Sequence, residues 1–185
     1  MQLTLPPPGT QVILLIVVLA AAVYDVRYRR IPNWIAVSGA LAGMALNSFL
    51  YRGVPGLLFA LEGLALGFGV YFVLYLLHAM GAGDVKLMGA IGALVGWQDW
   101  FGIFLISAVT GGMMAVVLTL ARGRLKKTFW NIGYILGEMK HGRAAYLTRE
   151  ELDVKSPSSV GLPHGAVIAV GTVFYLSLST HFVAR

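Results

Sequence analysis

The feature that most constrains this chain is a series of long apolar segments with few charged side chains, joined by polar connections. About 20 helical residues cross a hydrocarbon core about 30 Å thick. Six segments approach that requirement, at about residues 10–30, 31–51, 55–80, 85–95, 100–121 and 162–183. We therefore expect an all-α membrane bundle of about six transmembrane helices, forming a single domain over residues 1–185. The fourth segment is short and Gly-rich, so it is expected to begin inside the protein.

Composition supports a membrane protein and excludes several other classes. Hydrophobic residues make up 58% of the chain and charged residues only 12%, whereas soluble domains are about a quarter charged. The absence of cysteine excludes disulfides and thiolate zinc sites. The net charge of +6 fits cytoplasmic loops beside anionic lipid, so membrane lipid rather than nucleic acid is the expected partner.

Positive charges predict the orientation of the helices. With the N-terminus outside, 12 of the 14 Lys and Arg residues lie on the cytoplasmic side, and only Arg52 and Arg185 lie outside. Arg27, Arg29 and Arg30 follow the first apolar run and none precedes it, which indicates an uncleaved helix rather than a signal peptide. The polar stretch at about 122–159 is then a cytoplasmic loop. Its apolar residues recur at helical spacing and predict an interfacial helix, at Leu125, Phe129, Ile132, Leu136 and Met139.

Acidic residues are the candidates for chemistry, because a carboxyl group at membrane depth is costly and is usually functional. Five of the eight acids are predicted outside the helices, in the polar loop (Glu138, Glu150, Glu151 and Asp153) or in a short outer turn (Asp99). The other three are Asp25, Glu62 and Asp84. Glu62 lies away from the other two and is expected to be neutral and hydrogen-bonded to another helix.

Asp25 and Asp84 each lie at a predicted cytoplasmic helix end. Asp25 follows the first apolar run, and taken alone it would suit a boundary ion pair with Arg29, four residues on. Asp84 follows Gly81 and Gly83, which leave space for an extended peptide backbone beside the carboxyl group. Taken alone, this motif would also suit a solvated turn.

Together the two acids indicate a particular chemistry. The predicted topology places both at the same depth, on neighbouring helices, so they would share one proton. The ionised member can then take a proton from water while the protonated one donates to a scissile carbonyl oxygen. This is peptide hydrolysis that needs no metal or other cofactor. The four scattered histidines form no His-Glu-x-x-His motif, and Ser38 has no nucleophile-elbow glycines before it.

Three motifs follow one another along the chain: Asp-Val-Arg at 25–27 with Ile-Pro-Asn at 31–33, Gly-Ala-Gly-Asp-Val-Lys-Leu at 81–87, and Pro-His-Gly at 163–165. In this order they resemble the motifs of type IV prepilin peptidases. The Gly-x-Gly-Asp element is shared with presenilin-like enzymes, whereas the first element is typical of the prepilin branch. Residue 164 is His where the family pattern has an aromatic residue.

The resemblance implies a multi-pass aspartic endopeptidase of the bacterial inner membrane. It would remove a short basic leader from a prepilin at the cytoplasmic face, with Asp25 and Asp84 as the catalytic pair. Gly81, Gly83, Lys86 and Asn33 carry over as motif neighbours that position substrate. The cysteine zinc region of larger members is lacking, so the chain resembles the short form of tight-adherence (Flp) pili, and methyltransferase activity is not expected.

Two alternatives stay open from the sequence. The same protease chemistry would serve a preflagellin or another helical membrane peptide as substrate. A small proton-coupled transporter or assembly subunit is the alternative of a different class, in which Glu62, Asp25 and Asp84 would relay protons. The sequence leaves the oligomeric state and the identity of the precursor open.

Overall fold

The computed structural model describes residues 5–123, 130, 133–134, 137 and 163–183. Within them lie five long helices: α1 (Pro8–Tyr28), α2 (Asn33–Leu50), α3 (Val54–Leu76), α4 (Ala82–Ala121) and α5 (His164–Val183). The described residues include no strand, which confirms the predicted all-α class. Helices α1 to α4 are each long and apolar enough to cross a membrane. The apolar residues of the predicted interfacial helix lie outside the described residues.

Proline and left-handed residues set the helix limits. Pro8 occupies the first position of α1, where its missing N–H leaves no helical hydrogen bond unmade. Helix α1 ends at Tyr28, and Arg29 follows in the left-handed conformation with φ 54°. Pro32 precedes α2 with extended geometry. The connection between α1 and α2 is therefore short, so the two helices run antiparallel.

Glycines allow α2, α3 and α4 to pack with their backbones in contact. A Cβ atom on Gly63 would overlap the carbonyl oxygen of Gly92, and one on Gly92 would overlap that of Gly63. A Cβ atom on Gly43 of α2 would lie only 2.6 Å from the carbonyl oxygen of Ala93 in α4. These three glycines thus lie at helix contacts, as small residues do in membrane bundles.

Helix α4 folds back on itself at Gly96, which has non-helical angles of φ 75° and ψ 177°. Trp100 donates from Nε1 to the carbonyl oxygen of Met88 at 3.1 Å. In a straight helix those residues would be about 18 Å apart along the axis, so the segments 82–95 and 97–121 must lie side by side. The second segment runs antiparallel to α5, since Gly102 contacts Tyr175 and Gly111 contacts Val167.

The reversal at Gly96 lies between the predicted fourth and fifth segments, which together form helix α4. The first segment of α4 is buried at almost every position from 84 to 96, as expected for a segment surrounded by protein. The number of membrane crossings and the outside N-terminus stay predictions.

The prediction that Asp99 lies in an outer turn is wrong. Asp99 is helical and buried just after the reversal, and it accepts a 2.6 Å hydrogen bond from the hydroxyl group of Tyr175.

Replacing Gly96 by alanine is expected to lower the free energy of unfolding by about 3 kcal/mol or more. The backbone region that Gly96 occupies is nearly restricted to glycine, and a Cβ atom there would also overlap the ring of Phe59. Gly112→Ala is the matched control in the same helix, because nothing lies within 4 Å of its absent Cβ. Thermal unfolding in detergent would compare the two. Equal stability of the two variants would contradict the role given to Gly96.

Candidate active site

Three helix ends meet at one end of the bundle, and each carries a residue singled out by the sequence. Asp25 lies in the last turn of α1, Asp84 lies in the first turn of α4, and Gly165 lies in the first turn of α5. Both carboxyl groups are largely removed from solvent, with Asp25 8% exposed and Asp84 7% exposed. Buried carboxyl groups are rare unless they are paired or hydrogen-bonded, so the partners of each need to be identified.

Asp84 is held by the glycine segment that precedes it. Its Oδ2 atom accepts a 3.1 Å hydrogen bond from the backbone N–H of Gly81, and its own N–H donates to the Gly81 carbonyl oxygen at 3.1 Å. An acidic residue in the first turn of a helix also interacts favourably with the helix dipole. The carboxyl group is therefore fixed at the N-terminus of α4 with one oxygen engaged by backbone.

Asp25 is held by the start of α5, across a long sequence separation. Its Oδ2 atom accepts a 2.7 Å hydrogen bond from the backbone N–H of Gly165. Gly165 is buried against it, because a Cβ atom on Gly165 would lie 3.0 Å from Asp25 Cβ and 3.1 Å from Asp25 Oδ2. Arg29, which the sequence offered as an alternative partner for Asp25, is an exposed residue just beyond the end of α1. Asp25 thus faces the bundle and contacts the start of α5.

Ile31 connects the two carboxyl-bearing ends. A Cβ atom on Gly83 would lie 3.1 Å from Ile31 Cβ, and one on Gly165 would lie 3.1 Å from Ile31 Cδ1. The same side chain therefore packs against the residue next to Asp84 and against the residue that binds Asp25. Any side chain on either glycine would force these contacts apart. The two glycines allow the ends of α1, α4 and α5 to approach closely.

The two carboxyl groups also interact electrostatically. Asp84 lies within electrostatic range of Asp25 and of His164, the first residue of α5. Tyr71 of α3 is buried and lies within electrostatic range of Asp84. The two carboxyl groups, His164 and Tyr71 therefore share one electrostatic environment.

Lys86 and Asn33 meet at the rim of the same site. Lys86 Nζ donates a 2.8 Å hydrogen bond to Asn33 Oδ1, and both residues are exposed. This bond connects the first residue of α2 to the second turn of α4. Because both residues are exposed, their polar groups are accessible to a bound molecule. An exposed pair of this kind contributes little to stability.

The structure brings together the six residues that the sequence predicted for the peptidase site: Asp25, Asp84, Gly81, Gly83, Lys86 and Asn33. Glu62 lies apart from them on the exposed side of α3, and its predicted hydrogen bond to another helix is not formed within the described residues. Sequence reasoning missed the packing role of Ile31 and the proximity of Tyr71. Ile31 lay inside a recognised motif, whereas Tyr71 gave no signal. The described residues contain no group of three metal-binding side chains.

The chain also matches a known protein family. The type IV leader peptidase family matches residues 12–116, more than half of the chain and including both aspartates. The chain belongs to this family. The family match ends before α5, so the contact of Gly165 with Asp25 is an observation of the structure alone.

Curated relatives support the same assignment at low identity. The chain is 32% identical over 110 residues to a prepilin leader peptidase/N-methyltransferase of Myxococcus xanthus, covering 56% of this chain and 32% of the relative. It is 30% identical over 136 residues to one of Escherichia coli, covering 64% of this chain and 60% of the relative. The chain therefore aligns with about a third to three fifths of these proteins. No solved structure matches the chain.

Proposed function

We propose that this chain is a prepilin peptidase, an aspartic endopeptidase that uses Asp25 and Asp84 as its catalytic pair. The observation that carries the proposal is the packing of Ile31 against both Gly83 and Gly165, which draws together two acids that are far apart in sequence. The family match and the names of the curated relatives support the same activity.

The pair would hydrolyse a peptide bond by general acid–base catalysis. A water molecule between the two carboxyl groups loses a proton to the ionised member as its oxygen attacks the scissile carbonyl carbon. The protonated member donates to the carbonyl oxygen. The tetrahedral intermediate then collapses and its C–N bond breaks. The member that took the proton from water gives it to the leaving nitrogen, which departs as an amine, and the other member takes back its proton as the carbonyl group re-forms. One oxygen of each carboxyl group accepts a hydrogen bond from a backbone N–H, of Gly81 for Asp84 and of Gly165 for Asp25. These bonds hold both groups in place throughout the reaction.

Glycine at 81 and 83 suits a substrate in extended conformation. A peptide bond within a helix is hydrogen-bonded and enclosed by side chains, so a protease requires the scissile segment to be unwound. Small residues ahead of Asp84 allow such a backbone to approach the carboxyl group. Gly81 and Gly83 therefore position the substrate, and the exposed Asn33 and Lys86 at the rim offer an amide and an ammonium group to its backbone.

The proposed substrate is a prepilin with a short basic leader, of the Flp type, cleaved at the cytoplasmic face of the bacterial inner membrane. The bias of positive charge supports this orientation, since Arg27, Arg29, Arg30 and Lys86 all lie at the end of the bundle that holds the two aspartates. The basic leader would then remain in the cytoplasm while the apolar helix of the precursor stays in the bilayer.

The direct test is cleavage by the purified full chain in lipid vesicles. A precursor with a basic leader and an apolar helix is mixed with the enzyme, and mass spectrometry identifies both products. We expect a single cut before the apolar helix, with an unmethylated new N-terminus even when a methyl donor is supplied. A matched precursor with an acidic leader measures leader preference. Intact precursor after long incubation with Flp-type substrates would refute the proposal.

Replacing Lys86 by methionine is expected to raise KM about threefold to tenfold and to change kcat little. Methionine keeps most of the length of the side chain but loses the donor to Asn33, and substrate positioning by an exposed group acts mainly on binding. Asn33→Ala is the companion variant, expected to have an effect of similar size. Steady-state cleavage kinetics separate the two parameters. A large loss of kcat with unchanged KM would instead place Lys86 in the chemical step.

A further inference from the structure

Helix α3 has two faces of different character. One face packs against the bundle through small residues and one tyrosine, at Gly56, Ala60, Gly63, Gly67 and Tyr71. The opposite face is exposed and apolar, apart from the carboxyl group of Glu62. The proposed protease chemistry does not use Glu62, and the carboxyl group lies on a surface where lipid is expected.

Glu62 is too deep in the helix to reach the membrane surface. It is eight residues after Val54, which is about 12 Å along the axis of α3. Every other residue from 54 to 77 is uncharged. The glutamate side chain is short compared with lysine or arginine, whose long side chains extend to the interface. Its carboxyl group therefore needs a hydrogen-bond partner at its own depth.

The described part of the chain supplies no such partner. None of the described residues forms a hydrogen bond or an ion pair with Glu62. The face around it is also open, because nothing lies within 4 Å of the absent Cβ of Gly69, two turns further along. A group from outside the described chain can therefore approach this face closely.

The spacing on this face matches a helix-packing seam. Exposed or half-buried residues recur at alternating intervals of four and three, at Leu58, Glu62, Ala65, Gly69, Phe72 and Leu76. This is the period at which two helices cross with a left-handed supercoil. Small residues at two successive positions after Glu62 would bring the two backbones close together at that depth.

We propose that a second copy of this chain packs against this face, with the two α3 helices parallel about a two-fold axis along the membrane normal. The axis places Glu62 of each copy opposite its equivalent. A neutral carboxyl group is both a donor and an acceptor, so two of them satisfy each other with reciprocal hydrogen bonds. Any other helix would have to carry a polar group of its own at the same depth.

The test uses cysteine crosslinking. The chain has no cysteine of its own, so any disulfide between two copies has to come from the introduced residue. Leu58→Cys places a thiol on the proposed seam, and its neighbour Leu57→Cys is the matched control. The two positions are 52% and 38% exposed at nearly the same depth, but they point about 100° apart around the helix. After oxidation in vesicles, we expect a covalent dimer from Leu58→Cys and little from Leu57→Cys.

Two substitutions of Glu62 then test the hydrogen bond itself in the Leu58→Cys background. Glu62→Gln keeps a donor and an acceptor and is expected to retain the dimer. Glu62→Leu removes both and is expected to weaken dimerisation about tenfold. Single-molecule photobleaching measures dimerisation independently of the thiols, and thermal unfolding checks that each variant is folded.

Three outcomes would overturn the proposal: monomers throughout, equal crosslinking at 57 and 58, or dimerisation that Glu62→Leu leaves unchanged. A crosslink from 58 to a different membrane protein would also overturn it and would assign the face to that partner. None of these readouts depends on cleavage, so the proposed peptidase activity is tested separately.

Discussion

Asp25→Asn and Asp84→Asn are each expected to lower kcat for precursor cleavage by about a thousandfold or more. Asparagine has the shape of aspartate, and its amide oxygen can still accept the hydrogen bond from Gly165 or from Gly81. It can neither take a proton from water nor donate one to the carbonyl oxygen as a carboxylic acid does. Loss of one member therefore removes general acid–base catalysis, which supplies about 10²- to 10⁴-fold in rate, together with the shared proton.

The matched control for these variants is Asp99→Asn. Asp99 is buried to the same degree as Asp84, at 7% exposure, and it is hydrogen-bonded to Tyr175 after the reversal of α4. Its substitution tests whether any buried carboxyl group in this bundle is needed for activity. We expect Asp99→Asn to cleave at close to the normal rate. Rapid cleavage by either Asp25→Asn or Asp84→Asn, with folding and membrane insertion intact, would remove that residue from the catalytic pair.

The helices and the proximity of the two aspartates were predictable from sequence, because each has a cause in the local sequence. Long uncharged segments such as residues 31–51 can bury their backbone polar groups in a bilayer only as helices. The pairing of Asp25 with Asp84 followed from topology, since both lie at helix ends that the charge bias places on one side. Sequence reasoning could therefore predict their neighbourhood.

Contacts between residues far apart in the sequence could not be predicted from the sequence. Gly165 was recognised only as part of a motif, and nothing local shows that its N–H would bind Asp25, 140 positions away. Asp99 was predicted in a short outer turn between the fourth and fifth apolar segments. The chain instead reverses at one glycine, Gly96, and the helix resumes immediately. A positive φ at a single residue leaves no pattern that distinguishes it from other glycines.

The reversal at Gly96 has a consequence for the site. It returns residues 97–121 alongside the first segment of α4 and against α5, where Gly102 contacts Tyr175. Helix α5 is thereby supported along its length by α4 and also contacts α1. The start of α5 carries the N–H that binds Asp25, so the position of one carboxyl group depends on packing far from it. Geometry of this precision is what acid–base catalysis requires.

Gly165→Ala should therefore lower kcat/KM by about ten- to a hundredfold while keeping both aspartates. The added methyl group would lie 3.0 Å from Asp25 Cβ and 3.1 Å from Ile31 Cδ1, which is closer than ordinary van der Waals contact. Either Asp25 or Ile31 has to move, and a displacement of a catalytic group by a fraction of an ångström to 1 Å is costly in rate. Cleavage kinetics in vesicles measure the effect, and Gly112→Ala, an open position, is the control for an added methyl group.

A second substitution tests whether crowding is the cause. Ile31→Val removes Cδ1, the atom of Ile31 that the new methyl group would contact, at a stability cost of about 1 kcal/mol. We expect the double variant Gly165→Ala with Ile31→Val to recover part of the lost activity, because Ile31 then leaves room for the start of α5. Two measurements would argue against this account of how Asp25 is held. One is a single Gly165→Ala variant as active as the parent chain, and the other is a double variant whose activity equals the simple product of the two single effects.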